Sequence, residues 1–305
     1  MYALAYPSNT EKKSDRDQNG LNGPVQTSLL GAIRPSKIAR LFGRERRVLL
    51  RKVSYNRSGN GTVVENYDPG STGNRIEVFS YDAIGRKTER ILQQGSITWK
   101  TIYRYVDDKD KDHRIATSET FIQGRSTAFS KHVDIFDSKG DQIAASHTEN
   151  GVEIKASYDY DYNDEGKLTT IGTYNANKVL YHKVIYAYDS SGNTLMKSSY
   201  QPDGLLYDRT IFTYDISKRK AIAEERLIYK DDKSLDFWIV YNYDDRQNAI
   251  EVARYDESAS LLARTSHALN YDEAGNWIEK ITQCWDTNTC KPMAERIEYQ
   301  VIRYY

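Results

Sequence analysis

"YAYDSSGNTLMKSSYQPDGLLYDRTIFTYD", residues 186–215, carries one aromatic–carboxylate pair at both ends: Tyr188-Asp189 and, 26 residues on, Tyr214-Asp215. Asp189 is followed three residues later by Gly192, and Gln201-Pro202-Asp203-Gly204 falls midway between the pairs. Both groups have turn chemistry. The carboxylate accepts hydrogen bonds from backbone amides just ahead of it, and glycine takes the left-handed conformation that a bulged hairpin turn requires. The segments between the turns are about seven to ten residues long and rich in Ile, Val, Thr, Tyr and Phe, the length and composition of strands. One 26-residue unit is therefore two antiparallel strands and two hairpins.

The unit recurs along the chain. Its aromatic anchors are Tyr55, Tyr81, Tyr105, Phe136, Tyr162, Tyr188, Tyr214, Tyr243 and Tyr271. Three consecutive intervals of 26 separate Phe136 from Tyr214. The turn after the anchor uses Asp82 with Gly85, Asp137 with Gly140, Gly166, Asp189 with Gly192, Asp215, and Asp272 with Gly275. In two units Lys218 and Gln247 replace this glycine, which predicts looser or different turns there. About nine units give about eighteen strands, with stability summed over neighbouring units and fraying at the ends.

Residues two before the anchors (Phe79, Tyr103, Tyr160, Tyr186, Phe212, Tyr241) share the anchors' face and make two aromatic columns. Residues three before them (Val78, Ile102, Val133, Ile185, Ile211, Val240) belong to the opposite face, which Ile143, Leu195, Ala221, Ile250 and Ile278 are placed to join. Apolar columns on both faces, broken by polar ones, do not fit a flat sandwich with one clean apolar side. The expected fold is all-β: a long antiparallel meander, twisted and curled, spiral or open and barrel-like.

Composition points the same way. The 305 residues include 43 basic and 43 acidic ones, 39% are hydrophobic, and 25 are tyrosine. Zero net charge removes the field that would draw the chain to nucleic acid, and no apolar run is long enough for a membrane-spanning helix. The chain divides into a solvated, disordered lead-in (1–20), an atypical N-terminal capping unit with a basic segment (21–54), and the repeat array (55–305). Ala3-Leu4-Ala5 has the small–x–small form of a leader cleavage site, which suggests an exported protein: periplasmic, cell-surface or secreted. Cys284 and Cys290, with five residues between them in "QCWDTNTCKP", suit a local disulfide pinning the last hairpin; the alternative is two reduced thiols.

The units "YDAIGRKTE", "YDSSGNTL" and "YDEAGNWIE", with mid-unit turns such as "YQPDGLL", resemble the YD-repeat (Rhs-type) proteins over about residues 50–305. The resemblance implies a spiralling β-meander. The family's large members enclose toxins or act in adhesion. This chain has no match to the glycine- and aspartate-rich motif that ends their shells, so encapsulation is not carried over.

No chemistry stands out. The recurrent aspartates are placed by the turns, with weak calcium binding as the alternative, and "VDDKDKDH" (106–113) reads as a solvated insertion rather than a calcium loop. The five histidines fall in different units, and no catalytic, cofactor or metal constellation follows from them. "IRPSKIARLFGRERRVLLRK" (33–52) is dense in lysine and arginine. It reads as a short helix or connection over 36–42, then an end strand whose charge discourages edge pairing. Trp99, Trp238, Trp277 and Trp285 are the candidate ligand-binding aromatics. The leading expectation is a non-enzymatic scaffold that binds a glycan or protein. The alternatives are a structural part of a surface assembly and an enzyme with an unrecognised site.

Overall fold

A computed structural model describes residues 14–34, 46–67, 74–108, 112–215, 220–285 and 292–305. Among these described residues the fold is an all-β antiparallel meander of 20 strands, two more than expected, organised as two units. The first comprises Met1–Ser157, Asn270–Glu279 and Glu298–Tyr305; the second comprises Tyr158–Leu269 and Lys280–Ile297.

In the first unit a single helical turn, α1 (Asp15–Gln18), precedes β1 (Val25–Arg34), β2 (Arg46–Tyr55), β3 (Gly61–Asn66), β4 (Arg75–Tyr81), β5 (Lys87–Gln94) and β6 (Ile97–Asp108). Then come β7 (His113–Ile122), β8 (Ser130–Phe136), β9 (Gln142–Glu149) and the start of β10 (Val152–Tyr162). Each strand pairs with its neighbours in sequence, and β1 also pairs with the last strand, β20 (Pro292–Tyr304). Beyond β20, the Tyr305 amide donates to the Pro24 carbonyl at 3.0 Å. The first and last described strands therefore hold one another. β2 pairs with both β1 and β3, so its basic residues do not guard a free edge. Leu21, Val25, Val53 and Tyr55 form a small core here, with Val64 and Ile302 packed on it.

Where a solvated lead-in was expected, Ser14–Gly20 dock on the sheet. Ser14 caps α1 in a reciprocal box with Asp17. The Asp15 carboxylate accepts from the Gly61 amide at 2.9 Å and the Tyr81 hydroxyl at 2.7 Å. The acidic run after Tyr105 is also less of an insertion than it reads: β6 and β7 continue in register to Asp108 opposite His113.

The second unit contains the rest of β10, then β11 (Leu168–Asn175), β12 (Leu180–Tyr188), β13 (Thr194–Tyr200), β14 (Leu206–Asp215) and β15 (Lys220–Tyr229). It continues through β16 (Leu235–Tyr243), β17 (Ala249–Asp256), most of β18 (Leu261–Tyr271) and the end of β19 (Trp277–Trp285). Its core is thin. Leu168, Ile171 and Val184 are buried, with Tyr160, Tyr162 and Tyr186 laid over them.

The turns are built as the repeat predicts. After Tyr188, the Asp189 amide donates to the Asn193 carbonyl and the Gly192 amide to the Asp189 carbonyl, while Asp189 Oδ1 accepts from the Ser191 and Asn193 amides at 2.9 and 2.8 Å. Gly192 sits at φ +86°. The Asp82–Gly85, Asp137–Gly140 and Asp272–Gly275 turns repeat the backbone pattern, as does the Gly166 turn with Asn163 at its head. Gln247 does not loosen its turn. It adopts φ 65° and makes the same bonds to Asp244 as a glycine would. Lys218 and the turn after Asp215 lie outside the described residues, as do residues 36–42 and Cys290.

The hairpins after Tyr55, Tyr81, Phe136, Tyr188, Tyr214 and Tyr243 also slip register by one residue beyond the turn, whereas β6 and β7 after Tyr105 stay in register. Ala187 opposes Met196 while Tyr188 opposes Thr194, leaving Leu195 as the extra residue, 40% exposed. Ile250 is the extra residue of the Tyr243 hairpin. At several anchors the backbone carbonyl six residues on accepts from the next anchor's hydroxyl, whereas Phe136 has no hydroxyl and Tyr243 donates to the Glu224 carboxylate at 3.0 Å. Tyr81 donates to Gly61 at 2.6 Å, Tyr105 to Lys87 at 3.0 Å and Tyr214 to Thr194 at 3.0 Å.

Candidate functional site

The second unit places two of the four tryptophans on one face of its sheet. Trp238 on β16 lies directly opposite Tyr255 on β17, and the rings stack with centroids 5.2 Å apart at 18°. Leu227 on β15 flanks Trp238 on the other side. Residue alternation keeps Ala253 on this face, and Ala253 opposes Arg264 of β18. The Arg264 guanidinium lies over the Trp285 ring, 5.1 Å from its centroid. Trp285 donates from Nε1 to Ser266 Oγ at 3.0 Å, and Arg264 reaches Glu251 at 3.2 Å. Arg264 Nε is buried and makes no hydrogen bond.

Trp238, Tyr255, Arg264 and Trp285 thus occupy four successive strands, about 14 Å across at ordinary strand spacing. All of these rings are half-buried. Glu251 and Arg264 beside them supply an acceptor and donors for hydroxyl groups. Such a strip can bind a planar or ring-shaped polar molecule; it holds no nucleophile–base pair.

The other two tryptophans belong to the first unit. Trp99 on β6 faces Leu92 and Ile122, on the side of the sheet that carries Tyr103 and Tyr105. Trp277 begins β19, next to the buried Asn276. Neither joins the Trp238 strip. Cys284 is exposed on β19, while its proposed partner Cys290 lies outside the described residues.

Among the described residues, no three His, Cys, Asp or Glu side chains are arranged to hold a metal. The turn aspartates have their oxygens taken up by their own loop amides, as in Asp82 with the Ile84 and Arg86 amides. One titratable group was missed from sequence. His132 and His147 are directly opposite on β8 and β9, with ring centroids 5.9 Å apart. Asp134 Oδ1 lies 2.9 Å from His132 Nε2 and accepts from Gln142 at 2.5 Å, and Glu149 is 3.6 Å from His147. Asp134 raises the His132 pKa above the ordinary histidine value against the opposing effect of burial. Folding the hairpin about Gly140 on paper would have brought the two histidines together.

No family model matches this chain, and no curated protein resembles it in sequence. Among solved structures it is similar to a porin-like protein from Bacteroides uniformis ATCC 8492, with a TM-score of 0.38 at 10% identity over 92% of this chain and 98% of that one. It is similar also to TcdB2-TccC3, with a TM-score of 0.31 at 12% identity over 84% of this chain and 19% of that one. A porin-like protein from Bacteroides vulgatus ATCC 8482 gives a TM-score of 0.23 at 10% identity over 93% of this chain and 99% of that one. With each of these TM-scores under 0.5, the likenesses do not place the chain in a family.

Proposed function

We propose that the chain is a non-enzymatic, extracytoplasmic scaffold of YD-type repeats that binds a glycan across the Trp238–Tyr255–Trp285 strip. The observation that carries this reading is the stacked Trp238–Tyr255 pair beside Arg264 and Trp285. Flat rings next to charged hydrogen-bonding groups fit the alternating apolar and hydroxylated surfaces of a sugar chain.

Polar strand interiors on both faces argue against insertion into a bilayer. In the second unit one face carries the Asp208–Arg226 pair at 2.7 Å and the other the Glu251–Arg264 pair at 3.2 Å, each on mid-strand residues. Charges at such positions are costly against lipid. No helix of the described residues is long and apolar enough to cross a membrane, which bears on helices alone.

A glycan array probed with the whole chain tests the reading. Retention of particular saccharides, reduced tenfold or more by Trp238→Ala or Trp285→Ala, is the expected result. Retention of none, or retention indifferent to both substitutions, would overturn it; capture of a protein from the native envelope instead would favour a protein partner on the same face.

A further inference from the structure

We propose that the first unit carries a separate recognition site for the carboxylate of an acidic sugar, in the cleft between residues 123–129 and the turn at Asn150-Gly151. The connection from β7 to β8 departs from the repeat. Seven residues, 123–129, replace the short turns found between most neighbouring strands, and β8 resumes only at Ser130. Irregular loops on a regular scaffold are where binding residues concentrate. Beside this loop the β9–β10 hairpin turns through Asn150 and Gly151, both at positive φ (51° and 80°). Between them lies a cavity of about 260 Å³ lined by Arg125, Thr127, Phe129, Lys131 and Thr148, together with that turn.

The lining contains two cations and no carboxylate. The Arg125 side chain has no acidic partner among the described residues. Lys131 is 3.7 Å from Glu119, whose other oxygen is engaged by Arg104 at 2.7 Å. An unpaired guanidinium fork is the group best suited to a planar carboxylate, which it grips through two parallel hydrogen bonds. Phe129 is half-buried and offers an apolar wall, and Thr127, Thr148 and Asn150 offer hydroxyl and amide partners. The volume is below that of ordinary small-molecule clefts, so the site takes one ring with its acid group rather than a long ligand. A free inorganic anion would use the cations but leave Phe129 and the hydroxyls idle. The inference rests on the glycan reading only for the class of molecule, since Arg125 and Trp238 belong to different units.

The test is calorimetric or NMR titration of the whole chain with glucuronate, glucose and inorganic phosphate. Glucuronate should bind, more weakly as salt is raised, and glucose should not. Arg125→Ala and Lys131→Ala should each weaken glucuronate binding at least tenfold, and Arg125→Lys less than Arg125→Ala, while circular dichroism confirms an unchanged fold. Both residues are exposed, so neither change removes core packing. Trp238→Ala should leave glucuronate binding intact. Phosphate binding as tightly as glucuronate, glucose binding equally, or Arg125→Ala having no effect would overturn the proposal. Loss of array binding in Trp238→Ala with glucuronate binding retained would show the two sites standing independently.

Discussion

The Tyr188 hydroxyl donates to the Leu168 carbonyl at 2.6 Å, tying one repeat to the repeat before it. The same bond recurs from Tyr81, Tyr105 and Tyr214, so the recurrent tyrosine is kept for its hydroxyl as much as for its ring. Tyr188→Phe should cost about 1 kcal/mol, and somewhat more if the freed carbonyl stays dry. Urea unfolding of the two proteins measures it; an unchanged midpoint would refute the role.

Burial raises the phenol pKa of Tyr188 and Tyr214, and that of Tyr55 to about 12. The unfolded chain therefore loses these protons first as pH rises. Their contribution to stability is whole below the ordinary tyrosine value of about 10 and is lost as pH climbs from there through the folded values. Unfolding midpoints compared at pH 9, 10.5 and 11.5 should fall steadily.

The turns offer a matched pair of conformational tests. Gly204 at φ +84° has nothing within 4 Å of where a Cβ would sit, so Gly204→Ala should destabilise by about 1 kcal/mol through backbone strain alone. Ala259 already occupies φ 63°. Ala259→Gly should stabilise by up to about 1 kcal/mol, the relief of strain outweighing the added freedom of the unfolded chain. Thermal melts of both variants decide it.

At the other pH extreme, hydrogen bonds hold the Asp82, Asp189 and Asp232 carboxyls below the usual aspartate range: from Arg86, from Asn193 and from Ser234 respectively. A depressed folded pKa means stability that is present above the unfolded value and lost as pH falls through the folded one. Asp189→Asn keeps an acceptor for the Ser191 and Asn193 amides and should unfold at a lower denaturant concentration than the parent but a higher one than Asp189→Ala. Equal midpoints for the two variants would remove the turn-capping role.

Two histidines should respond oppositely to acid. Burial lowers the pKa of His182, helped by Lys197, and its Nε2 lies 2.7 Å from the Tyr207 hydroxyl. The unfolded chain takes up that proton first, so stability declines as pH drops below about 6.5. His132, raised by Asp134, contributes stability that is full below that value and fades as pH rises through its folded pKa. NMR titration of the two imidazoles should find His132 titrating above His182; the reverse order would contradict both environments.

Asn276 is 1% exposed and fastens the chain's ends. It accepts from the Asn22 amide at 2.5 Å and donates to the Asn22 carbonyl at 3.0 Å, while its amide nitrogen lies 2.7 Å from the Tyr304 hydroxyl. Asn276→Ala should cost roughly 3 kcal/mol by stranding buried groups, and should speed proteolysis near residue 22 before the middle of the array is cut.

Turn chemistry and strand alternation were legible in the sequence because both depend on residues a few places apart. The Asp189–Gly192 turn and the Tyr186–Tyr188 face follow from local rules alone. What escaped depends on pairing over long separations. Nothing near Tyr305 says that its amide will meet Pro24, and nothing near Asp15 says that its carboxylate will meet Tyr81 from the far side of a hairpin. Gln247 escaped for a different reason: the Asp244 carboxylate and the returning strand hold the turn firmly enough to impose a left-handed backbone on a residue that does not favour it. The Trp238 strip was only half visible, since the tryptophans stand out in the sequence but their stacking partner Tyr255 is one tyrosine among 25.

The pairing of β1 with β20 has a genetic consequence. A chain whose first and last strands are already neighbours could be joined end to end and reopened at another hairpin, for instance at Gly204, without asking any strand to find a new partner. Gene rearrangements that rotate the order of repeats would then be invisible to the folded sheet.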